Sequence, residues 1–121
     1  MDDKTTILEL RDILQKFKEE REWGQFHDPK NLAEAISIEA GELQEKFLWK
    51  SVNEVLTKMR EDSEYKKEVE EEFADIIIFC LSFSNATGID VSRAVKEKIN
   101  KNRKKYSTKK SKGIAEKYNK L

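Results

Sequence analysis

Residues 63–88 read SEYKKEVEEEFADIIIFCLSFSNATG, and this stretch decides the fold. Twenty-five residues without Gly or Pro, closed by Gly88, predict one long helix from Ser63 to Thr87 with a glycine cap. On its wheel Ile76, Phe79 and Phe83 share a face, and Glu72 and Asp75, one turn apart, share it too. Ionised carboxylates beside an apolar stripe repel one another and are costly to desolvate unless a cation compensates them.

The upstream segment repeats the anomaly. In DPKNLAEAISIEAGELQEKFLW (28–49), Asp28 is a good N-cap, Pro29 suits the first helical position, and a helix to about Trp49 follows. Leu32, Ile36, Leu43 and Phe47 form its inward stripe, and Glu39 and Glu42 border it about 60° apart. Two helices, each offering a pair of acids, make an oxygen-only cage suited to Mg²⁺ or Mn²⁺. No His or Cys enters that set, which argues against zinc and di-iron chemistry. Glu68, Glu70 and Glu71 read instead as a solvated face.

Outward from these two helices the pattern stays helical. Thr6 and Glu9 have capping-box spacing before the stripe Ile7, Leu10, Ile13, Leu14 and Phe17, giving a first helix over about 5–21. Trp23 to Asp28 reads as a loop. Ser51 and Glu54 open a short helix across Val52, Val55, Leu56 and Met59. Asp90 caps a last long helix with Val91, Ala94, Val95 and Ile99 inward, fading near Tyr106. One further turn is expected around Ile114–Tyr118. No strand pattern or internal repeat is present, so the expected class is all-α, a four-helix bundle over 1–106 with a basic tail over 107–121.

Composition agrees. Among 121 residues, 40% are charged and 37% apolar, with four Gly and one Pro. So thin an apolar fraction predicts burial completed by self-association, as a dimer or tetramer. Net charge is zero, but Lys96 to Leu121 carries eleven Lys or Arg against two Glu. Such a basic end could meet nucleic acid, a phosphate-bearing ligand or an acidic surface of another subunit, or simply form a solvated helix face and tail. It lacks the interleaved aromatics and motifs of a nucleic-acid binder, so no nucleic-acid partner is expected. The apolar run Ile76–Phe83 is far short of the roughly 20 residues a membrane span needs. The opening MDDKTT lacks a secretion-signal pattern, and lone Cys80 sits within the apolar run as a core filler. Together they predict a cytoplasmic protein with no membrane partner.

The segments FHDPKNLAEAISIEAGELQEKFLW, EEEFADIIIF and KINKNRKKY, in that order, resemble the MazG-like family of all-alpha NTP pyrophosphohydrolases, above all its short single-domain members. The resemblance covers roughly Leu8 to Tyr106. It implies that Glu39, Glu42, Glu72 and Asp75 bind Mg²⁺, with Mn²⁺ a substitute, and that Glu42 or Glu45 is the general base. It further implies that Lys98 and Asn102, assisted by Arg103 and Tyr106, contact phosphate. Trp23, His27, Trp49 and Phe79 match positions around a nucleobase pocket. The implied reaction cleaves a nucleoside triphosphate between its α and β phosphates, giving monophosphate and pyrophosphate. Three positions depart from the family pattern: Ile38 stands where a longer acid motif has another Glu, Leu14 where some members have a polar residue facing the base, and Ser107 where Pro is common. The rival reading is a non-catalytic helical interaction module whose acids hold a structural cation.

Overall fold

The computed structural model describes residues 1–120, which form helices and connecting turns with no strand. The all-α class is therefore the one observed. The chain makes two compact units, the first Met1–Gly88 and the second starting at Ile89.

The first unit holds α1 (Ile7–Glu20), a 3₁₀ turn (Trp23–Phe26), α2 (Pro29–Glu45), α3 (Val52–Glu61) and α4 (Ser63–Thr87). Each helix begins where a short polar side chain satisfies an otherwise orphaned amide. Thr6 accepts from the Glu9 N–H at 3.1 Å, Asp28 from Asn31 at 2.9 Å, Ser51 from Glu54 at 3.1 Å and Asp62 from Tyr65 at 3.0 Å. At its other end α4 stops at Gly88, whose φ of 73° needs the freedom of a residue without Cβ.

The expected end of α2 at Trp49 is corrected to Glu45. Beyond it the chain tightens into i→i+3 bonds from Lys46 to Leu43, Phe47 to Gln44 and Leu48 to Glu45. The buried Tyr65 hydroxyl donates to the Lys46 carbonyl at 2.7 Å and pins this turn to α4. Trp49 follows in a left-handed conformation, φ 62°, with 92% of its surface exposed.

Helix α4 is the hub, because α2, α1 and α3 all pack on it. Leu32 of α2 and Leu81 of α4 are the most deeply buried apolar side chains, joined by Val69 and Tyr65. At the far end Arg11 Nε donates to Asn85 Oδ1 at 2.9 Å and Asn85 returns a bond to the Arg11 carbonyl at 3.0 Å, tying α1 to α4. The buried apolar set is small, while Ile13, Leu10, Phe73, Ile77 and Ile78 stay substantially exposed. No single helix is long and apolar enough to cross a membrane.

The second unit holds α5 (Val91–Lys105), capped by Asp90 accepting from Arg93 at 2.8 Å, and the short α6 (Thr108–Ser111). The turn expected around Ile114–Tyr118 instead forms at α6. Ser107 is its N-cap, a role the Pro common at that position in the family would not supply, and Gly113 at φ 77° follows its last turn. A 3₁₀ turn over Tyr118–Lys120 closes the described chain.

Candidate active site

The two acid pairs meet. Helix α2 presents Glu39 and Glu42, helix α4 presents Glu72 and Asp75, and the packing of these helices brings one carboxylate oxygen each of Glu39, Glu72 and Asp75 within 4.8 Å of one another. Glu42 is more exposed but lies close enough to act on both Glu39 and Glu72. Spacing on each helix put the acids on an inward edge; only the pairing of α2 with α4 makes them a cluster.

Their electrostatics are those of too much negative charge in too little water. Glu39 is pushed up to about 7, first by burial, then by its bond to Glu42 and the charges of Glu42, Asp75 and Glu72. Glu72 is also raised, by burial and then by Glu42 and Asp75, with Lys46 pulling the other way. Lys46 lies 3.5 Å from Glu68, so that acid is spent on an ion pair at the edge of the cluster. One oxygen of Glu39 and one of Glu72, both Oε2, are buried with no hydrogen-bond partner. An unmet buried carboxylate oxygen is costly, and two of them on residues of an all-oxygen cluster fit a hard divalent cation such as Mg²⁺. Glu45, the last residue of α2, is exposed and acts on neither Glu39 nor Glu72.

One turn beyond Asp75 on α4 the chemistry changes. Phe79 and Ser82 join Ile13, Leu14, Phe17 and Lys18 of α1, together with Trp23 and His27, around a cavity of about 290 Å³. Its aromatic wall is continuous. Phe17 meets Trp23 edge-on at 5.6 Å between centroids, Trp23 lies 6.1 Å from His27, and His27 lies 6.3 Å from Phe79. Such a wall can stack against a planar heteroaromatic ring. His27 is held below its ordinary pKa, first by burial and then by the charge of Lys18, so it is neutral at neutral pH. Its Nδ1 is buried without a partner.

Of the residues expected around a base, Trp23, His27 and Phe79 come together here. Trp49 does not line this cavity. Lys98 and Asn102 stand one turn apart on α5, with Asn102 half-buried, Arg103 bonded to Asn100 at 2.9 Å, and Tyr106 at the helix end, its N–H on the Asn102 carbonyl. Lys18 and Ser82, both buried polar residues of this pocket, were not singled out from the sequence. Neither carried a signal in the sequence, since a Lys and a Ser read there as surface residues, and only the packed helices turn Arg11, Leu14 and Lys18 of α1 inward.

A MazG-like family model matches residues 35–121, which include all four clustered acids. The chain belongs to the MazG-like family. Relatives of this MazG-like chain include dCTP pyrophosphatase 1 of Rattus norvegicus, 36% identical over 116 residues covering 96% of this chain and 68% of the relative. The Homo sapiens dCTP pyrophosphatase 1 is 32% identical over the same shares. Among solved structures, a pyrophosphatase from Archaeoglobus fulgidus superposes with a TM-score of 0.75 at 44% identity, covering 82% of this chain and 90% of that one.

Proposed function

We propose that this chain, a nucleotide pyrophosphohydrolase by family, cleaves (deoxy)nucleoside triphosphates to monophosphate and pyrophosphate with Mg²⁺ held by Glu39, Glu42, Glu72 and Asp75. The observation that carries the reading is the acid cluster with two buried, partnerless oxygens, set one helical turn from an aromatic-walled cavity. The cation, with Mn²⁺ able to substitute, supplies neutralisation of phosphate oxygens and acidification of water when bound.

The chain's own residues do the rest. Trp23, His27 and Phe79 stack or flank the base, holding the nucleotide so that its phosphates reach the acids. Glu42, exposed yet acting on both Glu39 and Glu72, is the side chain we assign to take the proton from the attacking water; Glu45, three residues on, is the alternative. Lys98 and Asn102 neutralise charge on the departing pyrophosphate, with Arg103 and Tyr106 in support, and Trp49 closes on the nucleotide. Support for these five is their match to family positions. The catalytic domain spans 1–106, followed by the basic tail. Exposed Leu10, Ile13, Phe73, Ile77 and Ile78 line one apolar face, which a second copy would cover in a dimer or tetramer. Such an enzyme suits nucleotide-pool cleansing in the cytoplasm.

The reading is tested by pyrophosphate release from a panel of NTPs and dNTPs with Mg²⁺, Mn²⁺ or EDTA. Release with either cation and none in EDTA is expected. The non-catalytic alternative predicts no release under any condition, and cation binding alone.

A further inference from the structure

Lys18 has no role in the cation site, yet it is the most anomalous side chain in the first unit. It is 8% exposed, lines the aromatic-walled cavity, and among the described residues makes no ion pair and no side-chain hydrogen bond. Its stem packs in the wall while its charged tip keeps access to solvent, so the ammonium is free to donate to a ligand that fills the cavity. Its neighbours in the wall narrow the ligand. Ser82, 6% exposed, offers one hydroxyl, and His27 offers a partnerless Nδ1; the other walls are apolar or aromatic.

The position along α4 says which part of a nucleotide reaches Lys18. Ser82 lies seven residues past Asp75, about 10 Å along the helix axis. With phosphates at the acids, the base end, not the phosphate end, arrives at Ser82 and Lys18. We infer that Lys18 is a specificity residue that donates a charge-assisted hydrogen bond to an exocyclic carbonyl oxygen of the nucleobase. This rests on the nucleotide reading of the cavity above. An ammonium only donates, so it rewards cytosine, uracil, thymine and guanine, which carry such an oxygen, and not adenine, whose exocyclic group is itself a donor. Leu14, one turn before Lys18 on α1, is apolar, so the polar group that α1 offers the base is Lys18.

The test compares wild type, Lys18→Met, Lys18→Arg and the exposed control Lys16→Met on dCTP, dTTP, dGTP and dATP. Lys18→Met keeps the apolar stem and removes the charge. It is expected to lower kcat/KM about 10- to 100-fold for the three carbonyl-bearing substrates while leaving dATP within about threefold, so base preference collapses. Lys18→Arg restores part of the preference, and Lys16→Met changes nothing. Equal loss on all four substrates, or no loss, overturns the assignment. A binding arm separates this inference from the activity itself. Titration calorimetry of the wild type with the four deoxynucleoside monophosphates is expected to favour dCMP, dTMP and dGMP over dAMP, with the difference gone in Lys18→Met. Failure of pyrophosphate release with that pattern intact sinks only the activity; equal binding of all four, or of none, overturns the role of Lys18.

Discussion

Replacing Glu39 by Gln perturbs the centre of the acid cluster without changing its shape. In the folded protein without metal Glu39 titrates at about 7, well above the 4.5 of an unperturbed glutamate. A carboxyl with a raised folded pKa binds its proton more tightly in the native state. It therefore stabilises the fold below about pH 4.5, and that stability is lost as pH rises through the window from about 4.5 to 7. One proton sets a ceiling of about 1.4 kcal/mol per pH unit. Glu39 is only partly buried and its neighbours are screened by solvent and salt, so we expect about 1–2 kcal/mol across the window. For a chain of this length that is roughly 3–8 °C in Tm. Glutamine cannot ionise, so the metal-free Glu39→Gln protein should melt at the wild-type temperature near pH 4.5 and above it, by that amount, at pH 7.5. Differential scanning fluorimetry in EDTA at half-unit pH steps reads the difference between the two proteins, in which the other acids largely cancel. At pH 7.5 added Mg²⁺ should raise the wild-type Tm and act less on the variant. At pH 5, where protons compete for Glu39, its effect should fade. A difference that is flat with pH, or that favours the wild type at pH 7.5, refutes the reasoning.

Glu42→Gln and Asp75→Asn should each lower turnover at least about 100-fold with circular dichroism unchanged; near-normal activity removes that residue from the site. Lys98→Ala should cost about 10- to 1000-fold in kcat/KM, the loss of one charge-assisted phosphate contact, against less than threefold for the exposed Lys101→Ala at fixed ionic strength. Equal effects of the two would end the phosphate assignment. Light scattering at micromolar concentration should give the mass of a dimer or tetramer, and Phe73→Glu, placing a charge on the exposed apolar face, should shift it to monomer. A wild-type monomer contradicts self-association.

The helix starts were legible in the sequence because each rests on a local bond. Thr6, Asp28, Ser51 and Asp90 reach an amide three residues on, and nothing distant decides them. The acid quartet was legible for a related reason, since i and i+3 on an apolar edge needs only the helical period. What escaped the sequence depends on contacts far along the chain. The end of α2 at Glu45 is set by Tyr65, nineteen residues later, holding the Lys46 carbonyl. On α1 the stripe read from hydrophobicity gave Ile13 and Phe17, yet both are exposed, at 63% and 43%, while Lys18 is buried. The helix is turned so that Arg11 reaches Asn85, seventy-four residues away, and that rotation carries Lys18 into the cavity. Polarity made Lys18 look like a surface residue, and only the packing of α1 on α4 reveals where it points.

Cleavage between the α and β phosphates is what sets a pyrophosphohydrolase apart from a phosphatase. Phosphorus-31 NMR of a single dNTP, dCTP for instance, incubated with the protein and Mg²⁺ reads the products directly. The account predicts the monophosphate and inorganic pyrophosphate in equal amounts, with no signal from a diphosphate. Appearance of the nucleoside diphosphate with orthophosphate would contradict it.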